Sequence, residues 1–148
     1  MKQKNKLTAF TLWVNRGVGL LVVLLIFFLQ PIMDWYCQFR VLTAPEQTAI
    51  TVAFYCCVAV IGIALWNMDR LLTDILAEQV FTRKNVTRIR RIQWCCGGVS
   101  LICVPASFAY LPLIFLVIIM AFLCLTVSVL SRVMDAAVTI REENDLTI

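Results

Sequence analysis

Apolar residues are gathered into four long runs, near residues 17–33, 48–68, 95–111 and 113–133, and do not alternate with polar positions at short intervals. Runs of this length are typical of membrane-spanning helices, because about 20 residues at about 1.5 Å each cross a hydrocarbon core of about 30 Å. The pattern therefore predicts four transmembrane helices in an up-down bundle. Pro112 separates the last two runs, which predicts a tight hairpin.

Composition supports the same fold class. Of the 148 residues, 61% are hydrophobic and 15% are charged, and a soluble fold of this size could not bury so much apolar surface. No small-x-small cleavage site follows the first apolar run, so we expect that run to be retained as a helix. The sequence predicts one all-α integral membrane domain covering residues 1–148.

Basic residues are distributed very unevenly between the segments that separate the apolar runs. Twelve of the thirteen lie before the first run, between the second and third runs, or near and after the end of the fourth; Arg40 alone lies between the first and second. Because positively charged loops stay in the cytoplasm, we expect both termini, the connection 69–94 and the tail 134–148 to be cytosolic. The net charge of +4 follows from this topology, so it predicts no direct contact with nucleic acid. Aromatic residues near the predicted span ends fit an interfacial belt: Trp13, Trp35, Tyr36, Trp66, Trp94 and Tyr110.

Residue types that carry chemistry are missing from the positions where a reaction would need them. The chain has no histidine, and its seven cysteines form no Cys-x-x-Cys pair, with Cys37 alone in the predicted outer loop. The interiors of the predicted spans hold no ionisable residue of the kind that coupled transporters use. We therefore expect no enzymatic activity, no cofactor and no metal site. Acylation of Cys95 or Cys96 stays open.

A stripe of small side chains follows the third run at spacings of four, three and four: Cys96, Ser100, Cys103 and Ser107. Small residues at helical spacing allow two membrane helices to approach closely. The stripe predicts helix packing, and the alternative is a substrate groove.

The cytosolic connection holds the most informative polar pattern. Apolar residues recur at helical spacing up to Val80, which predicts that the second helix continues beyond the membrane. Phe81 to Asn85 is expected to form a turn, with Thr82 or Asn85 as the N-cap of the next helix. On that helix, spacings of four and three predict one basic stripe, made of Lys84, Arg88 and Arg91.

Two partners suit this stripe: anionic lipid headgroups and the C-terminal tail of the chain. The tail carries Glu142, Glu143 and Asp145, and ends on two aliphatic residues that could fill an apolar notch beside Phe81, namely Leu146 and Ile148. We expect Asn144 and Asp145 to form the turn that brings the tail back, since both residue types bond readily to their own backbone.

Two local patterns together resemble a family. The segment FTRKNVTRIRRI is similar to a Phe-x-x-x-Asn-x-x-x-aliphatic-basic element, and EENDLTI is similar to the C-terminal ending, of the bacterial membrane proteins called domain of unknown function 2975. The family often has a Gly-rich approach to its Phe, where this chain has AEQVF. By match, the resemblance singles out Phe81, Asn85, Arg90, Glu143, Asn144, Asp145, Leu146 and Ile148.

The resemblance implies a four-helix protein of the bacterial cytoplasmic membrane with no established enzymatic activity. Its members are often encoded beside small helix-turn-helix regulators, which implies a cytosolic transcription regulator as partner. We therefore expect a non-catalytic membrane protein whose cytosolic face, the connection 69–94 plus the tail, binds or sequesters such a regulator. The alternative is an oligomeric small-molecule permease or exporter component. A homo-oligomer is compatible with both.

Overall fold

The computed structural model describes residues 2–39, 43–77 and 80–145, and these form four α-helices. The helices are α1 (Lys2–Phe39), α2 (Ala44–Leu76), α3 (Arg83–Ala109) and α4 (Leu113–Asp145). Three of them, α1, α2 and α4, contain stretches long and apolar enough to cross a membrane. The chain is therefore all-helical, with three candidate membrane spans in its described part.

The helices extend well beyond the apolar runs that predicted them. The first helix continues through Pro31 to Phe39, so Cys37 lies in α1 and not in a loop. The fourth continues through Asn144 to Asp145, so the turn expected at these two residues is wrong. The physical reason is that Ala, Arg and Glu after the fourth run are good helix formers, and no Gly or Pro interrupts them.

The helices form an open row in sequence order. Helix α1 packs against α2, α2 against α3, and α3 against α4, and the described residues give no contact between α1 and α3, α1 and α4, or α2 and α4. Short connections make consecutive helices antiparallel neighbours, and the α3–α4 connection is the tight hairpin expected around Pro112. The arrangement differs from a bundle closed around one shared core, because each helix packs against its sequence neighbours alone.

Small residues allow α3 to fit between its two neighbours. A Cβ atom on Gly97 would lie 3.4 Å from the Cys124 Sγ of α4, and one on Gly98 would lie 3.8 Å from Val60 of α2. In the predicted small-residue stripe, Cys103 is buried against α2, and Ser100 Oγ donates a hydrogen bond of 3.2 Å to the Val117 carbonyl of α4. These contacts are packing contacts between helices.

Polar contacts join the N-terminal half of α1 to the C-terminal half of α2. Asn15 Nδ2 donates to the Leu65 carbonyl at 3.2 Å, and Arg16 Nε lies 3.0 Å from Asp69 Oδ1. On this same side of the molecule lie the C-terminal end of α2, the N-terminal end of α3 and the C-terminal end of α4. We call this end of α2, α3 and α4 the polar end.

Candidate functional site at the polar end

An apolar layer lies at the polar end, made of side chains that are buried where its three helices pack against one another. Its buried members come from α2, α3 and α4. They are Leu71, Leu72, Val86, Ile89 and Val138. Burying a branched side chain of this kind contributes about 1.5–3 kcal/mol, so this layer provides a firm base for the charged groups beside it.

Asn85 is the centre of the connection between α2 and α3. Its side chain is fully buried, at 0% exposure. Its Nδ2 donates to the Val80 carbonyl at 3.2 Å, and its Oδ1 accepts a bond of 3.1 Å from Arg88 Nη1. A buried amide with both ends bonded fixes the path of the chain entering α3. Asn85 is among the residues that the family resemblance singled out, but in this conformation it cannot touch a partner directly.

The start of α3 differs in detail from the predicted turn. The helix begins at Arg83, with Thr82 at the N-cap position and Asn85 already inside the first turn. The Thr82 side chain makes no capping hydrogen bond, but its carbonyl accepts from the backbone N–H groups of Asn85 and Val86. The turn predicted over Phe81 to Asn85 is therefore too long, because Asn85 folds inward and does not cap.

Arg88 connects α3 to α2. Its Nη1 lies 2.5 Å from Asp74 Oδ2 and 3.2 Å from the Arg70 carbonyl. The Arg88 and Asp74 side chains are 22% and 27% exposed, so the pair is shielded from water over most of its surface. Removing one partner of such a pair would leave an uncompensated charge, which makes the pair a structural link between the helices.

Arg83 connects α3 to the end of α4. Its Nη1 lies 2.7 Å from Asp135 Oδ1, and its Nη2 lies 2.8 Å from Glu142 Oε2 and 3.2 Å from Thr139 Oγ1. Its Nε donates to Glu142 Oε1 at 3.1 Å, so the guanidinium binds that carboxylate in the bidentate way. The three α4 residues are spaced by four and three, which puts them on one helical face.

Electrostatics at this contact follow from the hydrogen bonds. The Arg83 guanidinium holds the pKa of the Glu142 carboxyl below its ordinary value, mainly by hydrogen bonding to the charged form. Glu142 raises the pKa of Arg83 in return. Both groups are solvent-exposed, so the contact is open to screening by salt.

The predicted partner of the acidic tail is wrong for Glu142 and stays a prediction for Glu143, Asp145 and the terminal carboxylate. We expected the tail carboxylates to face Lys84, Arg88 and Arg91, but Glu142 binds Arg83, and Arg88 is already held by Asp74. Sequence reasoning missed Arg83 because it lies outside the four-three spacing of the basic stripe. The spacing of Asp135, Thr139 and Glu142, four and then three residues apart on α4, could have indicated one basic partner for this helical face.

The other singled-out residues lie on the surface of the polar end. Phe81 is 45% exposed. Lys84, Arg90, Arg91, Glu143 and Asn144 are exposed. Asp145 is the last residue of α4, and Leu146 and Ile148 lie outside the described residues, as does their expected contact with Phe81. The surface around α3 and the end of α4 thus carries mixed charge beside an aromatic ring.

Cavities along the row are lined mainly by apolar side chains, although one of about 430 Å³ between α1 and α2 also has Asn15, Arg16 and Asp69 in its lining. One of about 720 Å³ lies between the start of α2 and the end of α3, among residues such as Val52, Ile102 and Pro105. A smaller one of about 240 Å³ crosses the middle of the row beside Leu65, Val99 and Met120. Within the described part of the chain, no three His, Cys, Asp or Glu side chains are grouped closely enough to hold a metal ion.

Comparison with known proteins identifies the family. Searches of curated proteins and of solved structures gave no match. One family model, "Protein of unknown function (DUF2975)", matches residues 5–148. That match covers nearly the whole chain, including the Phe81 element and the C-terminal ending, and the chain therefore belongs to the DUF2975 family.

Proposed function

We propose that this is a non-catalytic membrane protein whose cytosolic face recruits a cytosolic regulator. The observation that carries the proposal is the polar end, where Arg83 and Arg88 join three helix ends above a buried apolar layer. A platform fixed in this way presents exposed side chains at defined positions, which is what recognition of a partner requires. A helix-turn-helix transcription regulator is the partner that the family resemblance implies.

Interfacial tryptophans support the membrane orientation that we propose. Trp13, Trp66 and Trp94 are 80%, 66% and 73% exposed, and they lie on three neighbouring helices near the polar end. From Trp13 to Trp35, and from Trp66 back to Ala44, each helix extends about 33 Å at about 1.5 Å per residue, close to the thickness of a bilayer core of about 30 Å. The polar end then projects into the cytosol, as the distribution of basic residues predicts.

The proposal includes α3 as a fourth span, which would make the protein multi-pass in the bacterial inner membrane with both termini cytoplasmic. Its first nine residues include five basic ones, so its apolar part is shorter than those of the other helices. It nevertheless packs against the middle of both neighbours, with Cys103 beside Cys57 and Gly97 beside Cys124. If α2 and α4 cross the bilayer, a helix held between them must lie inside it as well.

Labelling of single cysteines in a cysteine-free variant tests this orientation. A membrane-impermeant maleimide should reach position 40 in intact cells, and positions 84 and 144 only after permeabilisation, because the last two belong to the polar end. Both sites near the polar end are exposed, so burial cannot explain a lack of reaction. Labelling of position 84 from outside would overturn the orientation.

Recruitment of a partner is tested by shortening the end of α4. Deleting residues 142–148 removes Glu142, Glu143 and Asn144 from the platform, but leaves the apolar part of α4 intact. We expect a protein that copurifies with the full chain from native membranes to move to the soluble fraction, while the shortened chain stays in the bilayer. Immunoblotting of both fractions gives the measurement.

A matched control keeps this test specific. Gln30→Ala changes an exposed polar residue of α1 far from the polar end, so it should leave recruitment unchanged. Full-length protein that recovers no cytosolic protein from native membranes would contradict the proposal. So would equal recovery with and without residues 142–148.

The alternative is an oligomeric permease or exporter component. A permease for polar solutes needs a polar path between its helices. Two of the three cavities described above are lined almost wholly by apolar side chains. In the third, Arg16 pairs with Asp69 beside Asn15 and the rest of the lining is apolar, which supports partner recruitment over transport of such solutes.

A further inference from the structure

Three exposed arginines lie at a similar level along α3 and α4, close to that of the tryptophans. Arg90 Nη2 is 4.0 Å from Asp135 Oδ2. Arg132 precedes Asp135 by three residues, so it lies one turn away on a neighbouring part of the same α4 face. Arg91 follows Arg90 on α3, and all three arginines are exposed. We call Arg90, Arg91 and Arg132 the arginine cluster.

The cluster carries an excess of positive charge. Its nearest carboxylate, Asp135, is already bonded to Arg83 at 2.7 Å. Among the described residues, Arg91 and Arg132 take part in no ion pair, and Arg90 reaches Asp135 only at the 4.0 Å limit. A concentrated positive charge of this kind attracts an anion with several oxygens, because a guanidinium binds phosphate in a bidentate way.

The position of the cluster along α3 indicates which anion. Arg91 precedes Trp94 by three residues, about 4.5 Å along the helix, which is the level of lipid phosphates above an interfacial tryptophan. On the other side of Trp94, the same exposed face of α3 continues with Leu101 and Phe108. Along this face of α3, cationic side chains are therefore followed by an aromatic one and then by apolar ones. A phospholipid has the same order, from its anionic phosphate through its interfacial region to its acyl chains.

We propose that the arginine cluster binds the headgroup of an anionic phospholipid whose acyl chains lie along the apolar face of α3. A free phosphate would use the cations but not the apolar face, and an acidic peptide would not reach below the level of Trp94. The inference rests on the proposed membrane orientation and is independent of partner recruitment. It gives the exposed arginines a ligand that is present wherever the protein is inserted.

Lipid titration of the detergent-solubilised full chain, followed by native mass spectrometry, tests the site. Phosphatidylglycerol is compared with phosphatidylcholine for the unmodified chain and for Arg90→Gln with Arg132→Gln. Each cation near an anionic headgroup contributes about a fivefold gain in affinity, so the double variant should bind phosphatidylglycerol about 30-fold more weakly. Phosphatidylcholine should bind weakly to both.

A second double variant controls for total charge. Lys84→Gln with Arg141→Gln removes the same charge from residues that lie further from the bilayer along their helices, Lys84 by about 9 Å relative to Arg90 and Arg141 by about 14 Å relative to Arg132. It should bind phosphatidylglycerol like the unmodified chain. Equal losses in the two double variants would overturn the site, as would equal binding of the two lipids.

Inorganic phosphate separates a lipid site from a general anion site. At 10-fold molar excess over phosphatidylglycerol it should not displace the lipid, because it gains nothing from the apolar face; displacement would overturn the assignment to a phospholipid. Binding in detergent requires neither a cytosolic partner nor an oriented membrane. A negative result here is therefore distinct from failure of the recruitment and labelling experiments.

Discussion

Replacement of Asn85 by alanine is expected to lower the free energy of unfolding by about 2–3 kcal/mol, because it removes two side-chain hydrogen bonds from a fully buried position. The variant removes the bond to the Val80 carbonyl and the acceptor for Arg88 Nη1. It also opens a cavity at a side chain that is fully buried. The α2–α3 connection should loosen before the apolar parts of the helices separate.

Denaturant unfolding in mixed micelles, followed by tryptophan fluorescence, measures this loss. Thr87→Ala is the matched control, since Thr87 lies two residues further along α3, is exposed, and bonds only to the Arg83 carbonyl of its own helix in the described structure. Its effect should stay within about 0.5 kcal/mol, as for other surface changes. If Asn85→Ala and Thr87→Ala destabilise equally, the buried amide does not organise the connection.

The family element around Phe81 divides into two kinds of residue. Asn85 and Ile89 are buried and hold the start of α3 in place, whereas Phe81 and Arg90 are exposed. Substituting either buried residue should therefore act through stability, while substituting either exposed residue should leave stability nearly unchanged. A loss of recruitment in Phe81→Ala without loss of stability would identify Phe81 as a direct contact.

Much of the fold follows from the sequence, because lipid selects for long apolar runs that few soluble folds contain. Four helices and their order are readable in this way. Helix ends are harder to predict, since an apolar run shows which residues lie in lipid and not where the backbone hydrogen bonds of the helix end. The residues after Val133 continue α4 because they favour helix, although their polarity suggested a tail.

The site was harder to predict because its contacts join different helices, with Arg88 and Asp74 14 positions apart and Arg83 and Glu142 59 positions apart. The spacing of Lys84, Arg88 and Arg91 describes one helix correctly but does not say which neighbour each side chain meets. Arg88 turns towards Asp74 of α2. Arg83, at the very start of α3, faces α4 and binds Glu142. Only the packing of α3 between two helices distinguishes these outcomes, and the sequence of one helix does not contain that information.

The open row has a consequence for how the polar end is held together. Helix α4 packs against α3 alone in the described structure, so α3 is the helix that fixes its C-terminal end. Besides the apolar contact at Val138 and the long Arg90–Asp135 pair at 4.0 Å, the described connection there depends on Arg83. This single guanidinium is therefore the point at which a change of charge should release the end of α4.

Replacement of Arg83 by glutamine is expected to increase hydrogen exchange of the backbone amides at residues 139–144 by up to about fivefold, the range for an exposed ion pair. The unmodified contact should also depend on pH. The pKa of Glu142 is lowered from 4.5, so the contact is fully formed above that pH and is lost as pH falls through the lower pKa of the folded state. Protection factors should therefore be constant between pH 7 and 5 and fall in more acidic buffer.

Arg141→Gln is the matched control, because it removes a cation from the same stretch of α4 without a described ion pair. It should keep both the protection and its pH dependence, whereas Arg83→Gln and Glu142→Gln should each abolish the pH dependence. The variant with both changes should be no worse than Arg83→Gln alone, since loss of Arg83 already removes the Glu142 contact together with those to Asp135 and Thr139.

If Leu146 and Ile148 also hold the end of α4 in place, they limit how far Arg83→Gln can release it. Leu146 and Ile148 lie outside the described residues, and complete burial of each would contribute about 1.5–3 kcal/mol, more than an exposed ion pair. If they dock, Leu146→Ser with Ile148→Ser should release the end of α4 more than Glu142→Gln with Glu143→Gln does, and added salt should loosen it only slightly. Equal release by the two double variants, with strong sensitivity to salt, would show that Arg83 and the carboxylates alone hold the end of α4.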